Sequence, residues 1–424
     1  MVIKIITISS NYIHLNSSVK KFNIDGIDMI GNMHNGAIIG LNRNGLRFIE
    51  DRNDGIYLHS DILKSNNVED SELFEALRNN MFFENNMYNQ LNSAYVHVTH
   101  NCNLHCVGYY SFVEKRNSKN NLSFDEICKI FYILKQAGVN KIVISGGEPF
   151  LRNDFTDICK YAKENIQLED LCVITNGTMP LELYKKAIPY IDELCISVDG
   201  YSEITGFIRD KGIMPKVIDT INELKSDVKI NLISTLHKKN KNLMKNYVDF
   251  SNKLGITLSF SIFTVDNSTN QFDDYLLNSQ DLIDVANNLT DIDQSIEIMD
   301  FPSKDICLSC KERCEAGRSL ISIDANGDIY PCHMLHEEKL KLGNILRDNV
   351  LEILNSNLNP FKELCVDNFE EYSGCNYKYI CGGGCRGRSY FYHNKITSSD
   401  SYCQFMKKYY KSAIKSIKDL VCIE

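Results

Sequence analysis

Between residues 94 and 265 the chain alternates short apolar runs with longer mixed stretches. The runs AYVHVTH, KIVIS, LCVIT, ELCISV, KINLIST and ITLSFSIF read as strands. Helical stretches lie between them at 123–138, 154–166, 180–190, 214–225 and 243–254. The first opens on Ser123-x-x-Glu126, the spacing of a capping box. Alternating βα units of this length imply an α/β fold with a parallel sheet and right-handed crossovers. Six such units suit a partial (β/α)6 TIM-like barrel, whose functional loops sit at the C-terminal ends of the strands. A doubly wound open sheet has the same element order and is the alternative.

The flanks follow other patterns. Residues 1–90 carry the strand-like pieces VIKIITI, SVKKFNI and DMIGNM, then a polar helix around 69–78, an order that suits a small winged-helix module. Residues 268–300 are polar apart from one helix and read as a linker. From 301 to 424 helices thin out and Gly, Asn and Cys take over, which points to a segment held by bound metal rather than by its own apolar core. The expected divisions are therefore 1–90, 91–267, 268–300 and 301–424, consistent with 424 residues being too many for one core.

A net charge of −9 argues against nucleic acid as the main partner. No apolar run approaches the length of a membrane span, and the N-terminus lacks a secretory signal pattern, so a cytoplasmic protein away from the membrane is expected. In such a reducing compartment 16 cysteines read first as metal ligands. Cys128, Cys159, Cys172 and Cys195 stand singly at apolar positions and read as buried small hydrophobes. The rest fall into the groups 102/106, 307/310/314/332 and 365/375/381/385/403, with Cys422 alone.

The first strand runs into Cys102-x3-Cys106-x2-Tyr109. Three thiolates on a four-iron cubane leave one iron open to a substrate group, and this loop stops one residue short of that set. The second strand ends in Gly146-Gly147-Glu148-Pro149, where glycines admit a close ligand and the carboxylate can take an ammonium. The third ends in Thr175-Asn176-Gly177 and the fourth in Ser197-Val198-Asp199-Gly200, a hydroxyl and a carboxylate suited to a ribose. Arg209 follows and suits a carboxylate. Each piece alone is an ordinary turn; their succession along one rim carries the signal.

With these motifs the chain resembles the radical S-adenosylmethionine (radical SAM) superfamily over about residues 94–265. The resemblance implies that Cys102 and Cys106 hold a [4Fe-4S] cluster. It implies that Gly146, Gly147, Glu148 and Pro149 hold the methionine end of S-adenosylmethionine, and that Ser197 and Arg209, with Asn176 and Asp199 on the same rim, hold its ribose and carboxylate. IDANGDIYPC and CGGGCRGR resemble the SPASM extension, which carries two auxiliary [4Fe-4S] clusters. One would use Cys314, Cys332, Cys385 and either Cys307 or Cys310; the other would use Cys375, Cys381 and Cys403. A zinc ribbon is the structural alternative, but a second CxxC to match Cys307 and Cys310 is missing.

The N-terminal segment resembles the peptide-recognition module of pyrroloquinoline quinone biosynthesis, which binds a leader peptide as an added strand. Together these resemblances imply a maturase of a ribosomally made peptide, reduced by an external flavodoxin- or ferredoxin-type donor. A 5′-deoxyadenosyl radical would abstract hydrogen from the peptide, and a thioether or a carbon–carbon crosslink would form.

Two tyrosines break the family pattern. Tyr109 stands at the third radical-cluster position and Tyr372 at the second auxiliary one. Phenolate is a hard ligand, whereas cubane iron is ordinarily held by thiolates. His100 or His105 are the nearby substitutes at the first site, and Cys365 at the second. Beside the active enzyme stand two other readings: a degenerate paralogue that binds leader peptide as a partner subunit, and a zinc- or cluster-stabilised structural protein. The residues name no catalytic acid or base; His237 after the fifth strand reads as a solvated strand-end histidine.

Overall fold

In the computed structural model, which describes residues 11–84, 91–107, 117, 121–202, 207–265, 272–290, 292, 297–298 and 308–421, the N-terminal segment forms two three-stranded antiparallel sheets. β1 (Tyr12–His14), β2 (Val19–Ile24), β3 (Ile27–Asn32), β4 (Ile38–Leu41), α1 (Arg43–Leu46), β5 (Ile49–Arg52), β6 (Gly55–His59) and α2 (Val68–Asn79) follow in order. The sheets run β1-β6-β5 and β2-β3-β4. Three strands followed by helices is therefore not the observed order: residues 49–59 form a hairpin where a winged helix would place helix. Only the second strand alternates, with Ile56 and Leu58 buried between partly exposed neighbours, while in the first Ile49 is buried and Glu50 and Asp51 are both exposed. The piece VIKIITI lies outside the described residues.

Residues 93–262 match the expected strands and helices closely. They run β7 (Ser93–Thr99), α3 (Phe124–Gln136), β8 (Lys141–Gly146), α4 (Phe155–Glu164), β9 (Asp170–Thr175), α5 (Leu181–Ala187), β10 (Glu193–Val198), α6 (Met214–Leu224), β11 (Lys229–Leu236), α7 (Met244–Leu254) and β12 (Thr257–Ile262). These six strands lie side by side in chain order, all parallel, without the order reversal of a doubly wound sheet. The Ser123–Glu126 capping box forms at the start of α3. Cys128, Cys159, Cys172 and Cys195 are buried, as apolar positions require.

The remaining chain extends this sheet instead of standing apart. α8 (Ser279–Thr290) and β13 (Glu297–Ile298) follow, then β14 (Leu320–Ile323), β15 (Asp328–Tyr330), β16 (Gly343–Asn344), α9 (Val350–Asn355), α10 (Lys378–Cys381), α11 (Arg386–His393) and α12 (Cys403–Val421). β13 pairs with β12 at one edge, and β14 pairs in parallel with β7 at the other, giving a sheet of ten strands among the described residues. The segment expected to be a mere linker supplies core: Leu282, Val285 and Ala286 of α8 are buried, and α8 packs on α12. Among the described residues no helix is long and apolar enough to cross a membrane.

The N-terminal sheets dock on the C-terminal region. Tyr377 Oη donates to Asp25 Oδ2 at 2.8 Å, and Phe22 and Tyr379 rings lie 5.3 Å apart.

Candidate active site

The loop after β7 is held at the barrel mouth by the strand ends around it. Asn103 Nδ2 donates to Thr178 Oγ1 at 2.9 Å and its carbonyl oxygen accepts from Asn176 Nδ2 at 2.8 Å. His105 N donates to the Asp210 carboxylate, and Val107 N donates to Ile208 O at 2.7 Å. These two bonds join the cysteine loop to the segment after β10. In that segment Arg209 Nη1 reaches 3.5 Å from Cys106 Sγ. Asn103, Thr178 and Asp210 are positioning residues that sequence reading missed. Their signal was weak, because polar residues near a motif are ordinary loop composition. Tyr109 lies outside the described residues.

The turn after β8 packs on the same loop. A Cβ on Gly146 (φ +133°) would stand 2.3 Å from Thr99 O, and one on Gly147 would stand 2.1 Å from Asn101 O. The closeness these glycines permit is therefore to the chain's own backbone at the root of the Cys102 loop. Glu148 is fully buried and accepts from Thr175 Oγ1 (2.8 Å), Asn176 N (2.8 Å) and Phe150 N (3.2 Å). Burial pushes its carboxyl up to about 7 despite these bonds and the charge of Arg209. Pro149 starts a short 3-10 turn just past it.

At the next strand ends, Ser197 is half-buried and Asp199 buried. Asp199 Oδ2 accepts the amides of Phe207, Ile208 and, at 3.0 Å, Arg209. Among the described residues its Oδ1 has no hydrogen-bond partner, nor do Arg209 Nε and His237 Nε2. His237 is fully buried among Phe207, Phe263 and Tyr275, with Nε2 3.8 Å from Asp199 Oδ1. The solvated histidine expected there is corrected: the segments around 207 and 263 close over it.

The C-terminal cysteines fall into two sets. Cys332 is pushed well above the usual thiol range by burial and then by its neighbours Cys385 and Cys314. Cys375, Cys381 and Cys403 line one pocket together with Tyr372. Burial raises Cys381 to about 12. The Tyr372 hydroxyl lies 3.1 Å from Gly383 O and accepts from Arg386 Nη2 at 3.1 Å. Cys365 is elsewhere, beside Glu312 and Asp367. Cys310 is sealed against the N-terminal domain, its Sγ donating to Ala37 O at 3.0 Å and its thiol raised to about 12 by burial. Cys307 lies outside the described residues.

The sequence profile of the Radical SAM superfamily matches residues 96–250, and that of the SPASM iron–sulfur cluster-binding domain matches residues 314–382. The chain therefore carries a radical SAM domain, the mark of an enzyme superfamily, followed by a SPASM domain. It is similar to the mycofactocin maturase MftC of Mycolicibacterium smegmatis, 25% identical over 72% of this chain and 81% of that protein. It is also similar to a probable GTP 3′,8-cyclase of Methanococcus maripaludis, 31% identical over 41% of this chain and 60% of that protein. Among solved structures, anSMEcpe with bound AdoMet superposes with a TM-score of 0.65 at 19% identity, covering 77% of this chain and 98% of that one. Streptococcus suis SuiB bound to precursor peptide SuiA gives 0.58 at 16% identity, covering 92% and 99%. At these identities the structural likeness is one of fold.

Domains of these two kinds imply [4Fe-4S] clusters and S-adenosylmethionine. The donor chemistry fits the auxiliary clusters, with three thiols gathered at each of two places. For S-adenosylmethionine, the buried Glu148 carboxylate calls for a cation, and Asp199 Oδ1 and Arg209 Nε at the same rim have no hydrogen-bond partner among the described residues.

Proposed function

We propose that this chain matures a ribosomally made peptide by radical chemistry, forming a thioether or carbon–carbon crosslink. The observation that carries this reading is the cysteine loop tied to three strand ends, with Arg209 beside Cys106 and the glycine turn packed beneath. Bound there, the cluster and S-adenosylmethionine supply a 5′-deoxyadenosyl radical. The chain's own part is to bind and orient. Glu148 offers a buried anion to the amino group, Ser197 and Asp199 offer polar contacts to the ribose, and Arg209 offers a fork to the carboxylate. Cys102 and Cys106 hold the radical cluster; Cys314, Cys332 and Cys385, and separately Cys375, Cys381 and Cys403, hold the auxiliary ones. Either Cys307 or Cys310, whose thiol now donates to Ala37 O, completes the first auxiliary set.

The substrate class draws support from the names of MftC, a maturase, and of SuiB with its precursor peptide. In this chain the edges of the two N-terminal sheets, which pair with no further strand among the described residues, suit an added leader strand. An external flavodoxin- or ferredoxin-type protein supplies electrons.

Tyr109 favours one further reading, a paralogue that binds leader peptide without cleaving the cofactor. Anaerobic reconstitution with an iron count separates the two. About twelve irons per chain with 5′-deoxyadenosine release supports the enzyme. About four to eight irons with leader binding but no cleavage selects the paralogue, and Tyr109→Cys should then gain cleavage.

A further inference from the structure

Where the parallel sheet meets the SPASM domain lies a buried polar cluster whose candidate donor atoms include no thiol. β7 and β14 pair in parallel up to Val96 and Ile323, so the next residues, His97 and Asp324, come side by side. His336, beyond Cys332, completes the group. Its Nδ1 lies 3.6 Å from Asp324 Oδ1, and His97 Nδ1 lies 3.8 Å from the same oxygen. One donor atom from each of the three lies within 4.8 Å of the others. Relative exposure is 1% for His97 and 2% for Asp324.

A cluster of buried polar groups is ordinarily closed by its own hydrogen bonds. Here, among the described residues, neither ring nitrogen of His97 has a partner within hydrogen-bond length. The neighbouring contacts, by contrast, are made. His100 Nε2 is 2.7 Å from the same Asp324 Oδ1, and Ser322 Oγ is 2.7 Å from His336 Nε2. With its Nε2 on the Ser322 hydroxyl, His336 turns Nδ1 toward the carboxylate. That is how outer partners orient imidazoles around a metal. His97 and His336, whose rings stack with centroids 4.5 Å apart, each present Nδ1 to Asp324 Oδ1 beyond hydrogen-bond length. A cation with bonds of about 2.0–2.2 Å fits between them once the rings turn and the carboxylate shares Oδ1 with His100.

We propose that His97, Asp324 and His336 form a two-histidine, one-carboxylate site for a divalent first-row transition-metal ion, separate from the iron–sulfur cysteines. The nitrogen-rich donor set selects such ions over calcium or magnesium. An ion held there would join β7, which leads into the Cys102 loop, to the segment that carries Cys332. Three protein ligands also leave coordination positions free for water or a substrate group.

The test is a Co2+ titration of the anaerobically reconstituted full chain, read by visible absorption and by metal analysis after desalting. One equivalent is expected, with ligand-field bands and no thiolate-to-cobalt charge transfer. His97→Gln and His336→Gln should each lose that equivalent while iron content stays unchanged. His100→Gln should keep the stoichiometry and weaken binding about 10–100-fold. Absence of uptake by the wild-type protein overturns the proposal, as do undiminished uptake in both ligand variants and a charge-transfer band in the bound cobalt. The wild-type spectrum decides even if a variant fails to fold.

Discussion

Arg209 Nη1 stands 3.5 Å from Cys106 Sγ, so the cation after β10 and a thiol of the loop after β7 share one corner of the barrel mouth. Neither residue is near the other in sequence. Their contact depends on the Val107–Ile208 bond and on Asp199, whose Oδ2 gathers the amides of residues 207–209. Arg209→Lys keeps the charge but loses the planar fork. It should weaken S-adenosylmethionine binding by about tenfold or more, the range of a charged hydrogen bond, in equilibrium dialysis. Iron bound at the SPASM cysteines should not change.

Gly147→Ala tests the packing of the glycine turn. Its Cβ would sit 2.1 Å from Asn101 O, a backbone atom that cannot swing aside like a side-chain tip. A loss of about 2–4 kcal/mol is expected in chemical denaturation, or else a displaced loop that loads fewer irons.

Glu148 makes stability depend on pH. Its carboxyl is raised from 4.5 to about 7 by burial. A raised folded value means that the stabilising contribution is full below pH 4.5 and is lost as pH rises through 7. The loss is about 3 kcal/mol. The thermal midpoint of the cofactor-free protein should fall between about pH 5 and pH 8, and Glu148→Gln should flatten that fall. Because a cation beside Glu148 relieves the buried anion, S-adenosylmethionine should raise the midpoint more at about pH 8 than at about pH 5.

Tyr372→Cys places a thiol where the hydroxyl now meets Gly383 and Arg386. Beside Cys375, Cys381 and Cys403 it should make a fourth thiolate, so that iron is retained longer against a chelator than in the wild type. Tyr372→Phe, which removes only the hydroxyl, should cost about 1–3 kcal/mol of stability without that gain.

Arg388 and Asp400 form a buried ion pair at 2.7 Å, and Asp400 Oδ2 also accepts the Cys385 amide at 2.7 Å. Arg388→Ala leaves the carboxylate unpaired in the interior. A loss of about 3–5 kcal/mol is expected in denaturant titration, with impaired cluster loading at Cys385.

Local patterns carry much of the fold. The six barrel strands and the helices between them are readable because burial on a repeating βα unit writes its period into the chain. The Ser123–Glu126 cap is readable because both partners lie within one turn. The N-terminal hairpin at 49–59 escapes such a reading because its alternation is short and interrupted by polar turns. α8 reads as a linker in sequence because its partner, α12, lies more than a hundred residues away.

At the site, motif order along the chain names the rim, since parallel strands deliver successive loops to one end. Long-range packing decides the rest: that Glu148 is enclosed, that His237 is covered, and that Cys310 turns to Ala37. The same holds for His97 and Asp324, which no spacing links until β7 and β14 pair. Periodicity reports only neighbours a few residues apart, whereas charge burial and donor geometry depend on strands brought together across hundreds.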